Sequence, residues 1–218
     1  MSTRVETTLL QTIGIEQPSL DVQAAFEIAR RVTGVRNGDL MLTAGKVRDM
    51  LLGMNSSDGD YDFIGPVDLN TIARKSGGAV LGRWDTLGVI KIRVGSADFD
   101  FIDSRDNLQR RLSVNDLDIS TLCLTQQGLI TDYFGGLESL DRKVVRMHNP
   151  IAKIVADPSR ILRVVRFASS LGFSIDEETL EAVISQRHLL NKSDNVDDLW
   201  RIFELDERSK QIALDMLK

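Results

Sequence analysis

The sequence predicts a mixed α/β domain over its first 145 residues and a helical domain after it, and three observations lead to this fold class. Alternating apolar and polar residues at Val89–Val94 and Ala97–Ile102 flank Gly95-Ser96, a pattern typical of a β-hairpin. Before this hairpin, short apolar runs alternate with stretches of helical periodicity. From Asp157 onward the apolar positions follow helical spacing alone.

Apolar spacing and turn residues predict the elements one by one. A helix after Pro18-Ser19 ends near Gly34, and the short apolar run at Leu40–Thr43 indicates a buried strand. Beyond Ile119 we expect the chain to be mostly helical. The remaining expected elements are a helix at Lys46–Leu52, a strand at Tyr61–Ile64, a helix at Leu69–Lys75, and helices at about residues 157–171, 177–187, 196–204 and 207–217.

These elements suggest three segments: residues 1–20 as a loosely attached N-terminal lead-in, residues 21–145 as the mixed domain and residues 146–218 as the helical domain. The 218 residues, 42% hydrophobic and 27% charged, have the composition of a soluble globular protein. No apolar run approaches the ~18 residues of a membrane span, and the N-terminus lacks a secretory signal. We therefore expect a cytoplasmic protein with no membrane partner.

Cysteine, histidine and net charge narrow the kinds of site that the chain can contain. Cys123 is the only cysteine, which excludes an intrachain disulfide, and with two histidines a zinc site is not expected. Magnesium held by carboxylates remains open. The net charge of −5 argues against a generally basic nucleic-acid binder, although arginines gather between Arg105 and Arg166. That asymmetry is compatible both with a local basic cleft and with a solvated mixed surface.

A pair of aspartates, Asp60 and Asp62, lies at the start of the predicted strand at Tyr61–Ile64. Side chains at i and i+2 of a strand point to the same face, so the two carboxylates can hold divalent metal together. Asp100, on a strand that could lie alongside, can add a third carboxylate. Three such groups can hold two Mg²⁺ ions that activate a hydroxyl and stabilise a leaving pyrophosphate. The alternative is turn aspartates, since Ser57-Asp58-Gly59-Asp60 is also good loop chemistry.

The turn at Ala44-Gly45 opens a predicted helix just upstream of these aspartates. Glycine permits close approach of the backbone to a phosphate, and the start of a helix offers N–H groups to an anion. Arg48 lies one helical turn further on and can meet the same anion. An ordinary strand-to-helix connection with a surface arginine is the alternative.

A third candidate element is the helix that begins near Asp157-Pro158. Asp157 can cap this helix, and Pro158 suits its first turn. Arginines at i, i+3 and i+6, namely Arg160, Arg163 and Arg166, form a basic ridge. Because arginine offers donors and aspartate acceptors, Asp157 and Arg160 could hydrogen-bond to the edge of a nucleotide base. The alternative is a capped amphipathic helix with a solvated basic face.

In this order, the three elements resemble the motifs of the class II CCA-adding tRNA nucleotidyltransferase and bacterial poly(A) polymerase family. That family shows Gly-Gly-x-Val-Arg-Asp-x-Leu-Leu-Gly, then Asp-x-Asp, then Asp-Pro-x-Arg-x-Leu-Arg-x-x-Arg-Phe. Ala44–Gly53, Asp60–Asp62 and Asp157–Phe167 match these motifs with few changes. Asp132–Leu140 also looks like the family segment Asp-x-x-x-Gly-x-x-Asp-Leu, and the match covers about residues 38–205.

The resemblance implies a polymerase-β-like nucleotidyltransferase palm with a mixed sheet, followed by an all-helical neck. By the same resemblance, Asp60 and Asp62 would bind Mg²⁺, and Asp100 would be the third catalytic carboxylate. Asp157 and Arg160 would present a protein template to the incoming C or A base. The complete implied set of nucleotide-binding residues is Gly45, Arg48, Asp116, Asp157, Arg160, Arg163 and Arg166.

Several positions depart from the family pattern. Ala44 stands where the family has the first glycine of its pair, and Ala156 stands where it has a glutamate. Two extra residues after Gly53 make Asp58–Asp60 a competing alignment for the metal pair, although Asp60-Tyr61-Asp62-Phe63 fits the strand pattern better.

The largest departure lies in the segment that the family writes Arg-Arg-Asp-Phe-Thr-x-Asn-Ala. It aligns here with Val114–Thr121, where Asp116 is retained and the arginine that would help to bind nucleotide is missing. Arg110 and Arg111, four residues upstream, are candidates to replace it. The missing arginine is the reason to keep a catalytically weak or inactive module as an alternative.

The first hypothesis is a Mg-dependent nucleotidyltransferase that adds CMP or AMP from CTP or ATP to an RNA 3′ end, with tRNA the expected acceptor and pyrophosphate the second product. The chain stops soon after the neck, whereas tRNA-specific members continue, so a partner chain or oligomer would supply the missing RNA-binding surface. One alternative is a catalytically weak or inactive module that binds nucleotide or RNA. Another is a nucleotidyltransferase that acts on a non-RNA acceptor.

Overall fold

The computed structural model describes residues 6–9, 18–36, 38–54 and 59–192, which form parts of two compact units. The first unit comprises the chain up to Val114 together with Ser120–Gly136. The second comprises Asn115–Ile119 and the chain from Leu137 onward. The predicted helices at about 196–204 and 207–217, and the competing aspartate Asp58, lie outside the described residues.

Eight strands and four helices build the described part of the first unit. They are β1 (Glu6–Leu9), α1 (Leu20–Thr33), β2 (Met41–Thr43), α2 (Ala44–Leu51), β3 (Asp60–Gly65), α3 (Leu69–Lys75), β4 (Ala79–Trp84), β5 (Val89–Val94), β6 (Ala97–Asp103), α4 (Leu108–Leu112), β7 (Cys123–Leu124) and β8 (Leu129–Asp132). The strands form one sheet in the order β1-β8-β7-β2-β3-β6-β5-β4. The pair β3 and β6 runs parallel, and the other neighbouring pairs run antiparallel.

Aromatic side chains from the two parallel strands form the core on one face of the sheet. Tyr61 of β3 stacks on Phe99 of β6 with ring centroids 5.4 Å apart, and Phe63 stacks on Phe101 at 6.0 Å. Phe26 of α1 meets Phe63 edge-on at 5.0 Å. Because side chains alternate along a strand, these inward aromatics leave the residues between them on the opposite face.

The opposite face is apolar at one end. Met41, Ile64 and Cys123 form a buried cluster that Leu112 of α4 covers. Cys123 is fully buried, and this burial raises the pKa of its thiol to about 12. The other end of the same face carries charged residues.

Up to residue 192, where the described part of the second unit ends, this unit is helical apart from a two-stranded parallel pairing. Its elements are α5 (Gly136–Asp141, all but the first residue), β9 (Val144–Val145), α6 (Pro150–Ala156), α7 (Arg160–Leu171), β10 (Ser174–Ile175) and α8 (Glu177–Gln186). Helix α6 packs against α8 and α7, while α7 also packs against β9 and β10. Ile154, Leu162 and Val183 are fully buried between these elements. In the described part of both units, no helix combines the length and apolar character that crossing a bilayer requires.

Sequence and structure agree on most elements of the first unit. The helix at Leu69–Lys75 has the predicted bounds, and the predicted hairpin is β5 and β6. Strands β1 and β4 were not expected, since Glu6–Leu9 lies in the predicted lead-in and Ala79–Trp84 follows glycines.

The expectation of a mostly helical chain beyond Ile119 is wrong as far as Asp132. Strands β7 and β8 form an antiparallel pair there, joined by a turn in which Gly128 adopts a φ of +81°. The Thr125 N–H donates to the Leu129 carbonyl at 2.9 Å and closes this turn. Strands of two and four residues are too short for the alternation that would have revealed them.

Asp157 caps the turn before helix α7, whose own N-cap position is occupied by Ser159 without a side-chain hydrogen bond. Helix α7 begins at Arg160, after a turn over Pro158 and Ser159. The Asp157 carboxylate accepts hydrogen bonds from the backbone N–H of Ser159 at 3.1 Å and from its hydroxyl at 2.6 Å. Asp157 therefore shapes the turn that leads into the helix.

Ala44, at the junction of β2 and α2, adopts a left-handed backbone conformation with a φ of +59°. A residue with a Cβ is strained in this region, and glycine is not. The methyl group of Ala44 is therefore the source of the strain at this junction.

We expect Ala44→Gly to raise the free energy of unfolding by about 1 kcal/mol, because glycine removes the steric penalty at positive φ. Urea unfolding measures the change. Ala73→Gly, inside helix α3, is the matched control and should lower the free energy of unfolding by about 0.5–1 kcal/mol. An equal loss of stability in both variants would contradict a steric penalty at Ala44.

Candidate functional site

Four carboxylates lie on one face of the parallel pair β3 and β6. The pairing places Asp60 beside Asp98 and Asp62 beside Asp100. In a parallel pair, side chains at paired positions point to the same face, and residues two apart share it. The structure therefore brings together the three predicted catalytic residues and adds Asp98, on the face opposite to the aromatic core.

The ammonium of Lys91, on β5, lies among these carboxylates. Its Nζ is 3.0 Å from Asp100 Oδ2, 3.2 Å from Asp60 Oδ1 and 3.9 Å from Asp98 Oδ2. Burial opposes the charge on Lys91, but the hydrogen bonds to Asp100 and Asp60 outweigh it and raise its pKa to about 12. Burial also raises the pKa of Asp100 above its usual value, against the opposing effect of the Lys91 ammonium.

Asp98 has a second cation of its own. The Arg93 guanidinium donates to both oxygens of Asp98, at 2.6 and 2.9 Å, and these hydrogen bonds lower the pKa of the carboxyl. Sequence reasoning missed Lys91, Arg93 and Asp98 as site residues. The signal was present in the hairpin, where Lys91 and Arg93 alternate on one strand and Asp98 and Asp100 on the next.

The donor chemistry of this face fits a hard divalent cation. All the candidate ligands are carboxylate oxygens, the type that Mg²⁺ prefers, and Asp60 is half exposed and open to an ion. Within residues 18–36, 38–54 and 59–192, however, no three acidic, histidine or cysteine side chains are arranged as a metal cage. Asp60, Asp98 and Asp100 instead converge on Lys91, so part of the negative charge that would attract a metal is already neutralised by an ammonium.

The predicted phosphate-binding turn is formed, and its arginine has a partner. Both Nε and an Nη of Arg48 contact Asp49 Oδ1, at 2.7 and 2.6 Å, in a largely buried pair. A methyl group at Gly45 would meet Arg48 Nη2 at 3.7 Å, which is an ordinary contact. No steric conflict within the described residues therefore requires glycine at this position.

In the second unit, Asp116 pairs with two of the predicted nucleotide-binding arginines. Asp116 Oδ1 lies 3.0 Å from Arg160 Nε, and its other oxygen contacts Arg163 Nε. These contacts are ion pairs without the alignment of hydrogen bonds. Asp157 lies further away, with Oδ2 3.8 Å from Arg160 Nε. The guanidinium of Arg166 lies over the Phe167 ring at 5.3 Å.

Basic side chains fasten the altered segment Asn115–Ile119 to the second unit. Besides the Asp116 pairs, Lys153 Nζ donates to the backbone carbonyl of Asn115, and burial lowers the pKa of Lys153. Arg146 Nε bonds to Asp118 Oδ2 at 2.5 Å, and the Asp118 side chain is only 2% exposed. Asp118 of this segment thus holds Arg146 in place.

Arg110 and Arg111, the candidate replacements for the lost arginine, belong to the first unit. They lie on α4 and line a cleft of about 450 Å³ that also includes Gly88, Asp103 and Arg105. Arg105 is paired with Asp103 at 2.6 Å, and burial lowers the pKa of Arg111. Val114, the first residue of the altered segment, lines the same cleft, so both arginines lie beside that end of the segment.

Asp132, the first residue of the motif at Asp132–Leu140, stabilises a turn. One of its oxygens accepts hydrogen bonds from the backbone N–H groups of Phe134, Gly135 and Gly136, at 2.8 to 3.0 Å. The side chain is 2% exposed and closes the turn that follows β8.

Comparison with known proteins finds relatives among CCA-adding enzymes and A-adding tRNA nucleotidyltransferases. A scan against protein-family models gave no match. The CCA-adding enzyme of Bacillus subtilis is 32% identical over 167 residues, which cover 67% of this chain and 41% of that protein. The A-adding tRNA nucleotidyltransferase of Deinococcus radiodurans is 31% identical over 143 residues, which cover 65% of this chain and 33% of that protein. The chain therefore spans less than half the length of these relatives.

Solved structures share the fold. The Thermotoga maritima CCA-adding enzyme complexed with tRNA has a TM-score of 0.78 at 20% identity, over 96% of this chain and 54% of that one. A CCA-adding enzyme with ATP has a TM-score of 0.77 at 20% identity, over 96% of this chain and 55% of that one. A tRNA-processing enzyme with CTP has a TM-score of 0.63 at 26% identity, over 91% of this chain and 57% of that one. The predicted fold class is thereby confirmed.

We expect Asp118→Asn to lower the free energy of unfolding by about 2–3 kcal/mol, because the variant removes a buried negative charge that contacts the half-buried Arg146 guanidinium. Chemical denaturation measures this change. The control is Glu138→Gln, which removes an exposed pair with Arg142 and should cost less than about 0.5 kcal/mol. Equal effects of the two variants would contradict a structural role for the Asp118 pair.

Proposed function

We propose that this chain, a relative of the CCA-adding and A-adding tRNA nucleotidyltransferases, is a Mg-dependent nucleotidyltransferase. It transfers CMP or AMP from CTP or ATP to the 3′ hydroxyl of an RNA, with tRNA as the first candidate, and releases pyrophosphate. The observation that carries the proposal is the row of Asp60, Asp62 and Asp100 on one face of two parallel strands. A phosphate-transfer site needs such a concentration of oxygen ligands.

In this proposal, the carboxylates position the metal and take up a proton. Mg²⁺ bound by Asp60 and Asp62 would neutralise the triphosphate and favour the ionised 3′ hydroxyl. Asp100 has a pKa above its usual value, which makes its carboxylate a better proton acceptor for that hydroxyl. The 3′ oxygen forms a bond to the α-phosphorus while the bond from that phosphorus to the pyrophosphate oxygen breaks, and pyrophosphate leaves.

The remaining predicted residues bind the nucleotide in this proposal. Gly45 and Arg48 face the triphosphate, for which Arg48 exchanges its pairing with Asp49. Arg160 and Asp157 offer donors and acceptors to the base edge. Asp116 holds Arg160, and its placement beside that arginine supports a role in orienting the base-reading group. Arg163 and Arg166, on α7, are the other two residues of the second unit that this proposal assigns to nucleotide binding.

The same proposal includes the organisation around the site. It divides the chain into a head over residues 21–145 and a neck over residues 146–218. It places the protein in the cytoplasm, where its nucleotide and RNA substrates are found. A partner chain or oligomer would supply RNA-binding surface, because a protein with a net charge of −5 has more acidic than basic groups to face the phosphates of an RNA.

One observation favours a second candidate, a module that binds nucleotide or RNA without turnover. The two charged groups central to the proposal, the carboxylates and Arg160, already have internal partners in Lys91 and Asp116. Titration calorimetry with ATP and Mg²⁺ separates the candidates when it is combined with the transfer assay. Binding that Asp60→Ala abolishes, without incorporation into any cellular RNA, would establish the module, and transfer to a non-RNA acceptor would retain the enzyme and change its substrate.

We expect the purified chain, with Mg²⁺ and labelled CTP or ATP, to label tRNA that lacks its 3′ terminus, and Asp60→Ala to reduce the rate by a factor on the order of 100 or more. Asp60 is half exposed, so the substitution should leave folding intact. Asp141→Ala, at an exposed position of α5, is the control and should keep the wild-type rate. Equal activity of wild type and Asp60→Ala would refute the assignment.

We expect Arg160→Lys to reduce the preference for CTP and ATP over UTP and GTP by roughly tenfold in kcat/KM, because lysine keeps the charge beside Asp116 and loses the planar donor fork. The ratio of kcat/KM values for the four nucleotides measures this change. Arg142→Lys, in an exposed pair with Glu138, is the matched control. An unchanged preference would show that Arg160 does not read the base.

A further inference from the structure

The candidate metal site contains a cation that belongs to the protein. The Lys91 ammonium is held by Asp60, Asp100 and, at a longer distance, Asp98. Two of these, Asp60 and Asp100, are the carboxylates that the proposed function uses for catalysis. A divalent ion bound to the same oxygens would repel the ammonium and would compete with it for its ligands.

The sheet explains why Lys91 reaches this place. Strand β5 lies beside β6, and their antiparallel pairing sets Lys91 directly opposite Asp100. Strand β3, with Asp60, lies on the far side of β6. The side chain of Lys91 therefore crosses over β6, and its ammonium links carboxylates of two parallel strands. Only 26% of the side chain is exposed, so its methylene stem is packed along the way.

Carboxylates at this spacing need a positive charge. Like charges on neighbouring strands repel, and burial of Asp100 adds a desolvation cost. In the protein without metal, Lys91 supplies the charge for Asp60 and Asp100, while Arg93 supplies it for Asp98. Asp98 also lies 3.9 Å from Lys91, but among the described residues Arg93 pairs with Asp98 and with neither Asp60 nor Asp100, which allows the effects of the two basic residues to be distinguished.

We propose that Lys91 is a positioning residue that holds Asp60 and Asp100 together when no divalent ion is bound, and that a divalent cation binds at Asp60 by displacing the Lys91 ammonium from it. The inference rests on the proposed function in its choice of Asp60 as a metal ligand. It assigns to Lys91 two measurable effects. Lys91 stabilises the metal-free fold, and it weakens the affinity of the site for a free divalent ion.

The test compares Lys91→Met, which removes the charge and keeps a stem of similar length, with Lys91→Arg, which keeps the charge. Mn²⁺ serves as the probe, and the electron paramagnetic resonance signal of free Mn²⁺ measures its affinity for the full chain without nucleotide. We expect Lys91→Met to bind Mn²⁺ at least about tenfold more tightly than wild type, because a competing positive charge 3.2 Å from the ligand oxygen of Asp60 is gone. Adding Asp60→Ala to Lys91→Met should abolish the gain.

Thermal unfolding in EDTA provides the second readout. We expect a lower Tm for Lys91→Met than for wild type, recovery in Lys91→Arg, and a larger increase in Tm on addition of Mn²⁺ for Lys91→Met. Arg93→Met is the control, since Arg93 lies on the same strand and pairs with Asp98. Its affinity for Mn²⁺ should stay within about twofold of wild type, because neither Asp60 nor Asp100 loses its counterion.

Two results would overturn the proposal. One is a Lys91→Met affinity for Mn²⁺ equal to or weaker than that of wild type, which includes the absence of binding by both proteins. The other is an unchanged Tm in EDTA. Failure of the proposed function looks different: a wild-type chain that binds Mn²⁺ through Asp60 and transfers no nucleotide would leave the role of Lys91 intact.

Discussion

The parallel pairing of β3 with β6 is the constraint on which the first unit depends. This pairing sets Tyr61 beside Phe99 and Asp62 beside Asp100, so one hydrogen-bonded ladder creates both the aromatic core and the acidic face. The burial of the rings fixes the alternation, since a slip by one residue would turn the aspartates into the core. The energy that holds the candidate site in place therefore comes from apolar burial on the opposite side of the sheet.

Local patterns in the sequence were sufficient to predict part of this arrangement. The alternation around Asp60 and Asp62 predicted their shared face, and the motifs identified relatives that sequence comparison confirms. The cross-strand neighbours of these aspartates could not be deduced in the same way. Lys91 and Asp98 join the site because β5 and β6 pair with a particular register, and register is a property of the assembled sheet.

The segment Asn115–Ile119 illustrates a second limit of sequence-based prediction. Its composition showed that arginines had been lost, but not that the segment belongs to the second unit. Long-range pairs with Arg146 and Arg160 connect the segment to that unit, and no local pattern encodes them. In the first unit Lys91 lies among the carboxylates of the candidate site, and in the second Asp116 lies between two arginines. In both described clusters the opposite charge comes from the same unit. Ligand binding at either place would exchange partners for charges that are already paired.

The position of Cys123 makes the stability of the sheet directly observable. It is the only cysteine of the chain, and it lies on β7 in a fully buried cluster beside Thr43. A thiol reagent reacts with the thiolate, which a pKa of about 12 makes scarce in the closed protein. Labelling therefore has to wait for the sheet to open around this strand. The rate at which Cys123 is labelled therefore measures local unfolding of the sheet around β7, and no cysteine has to be introduced by mutation.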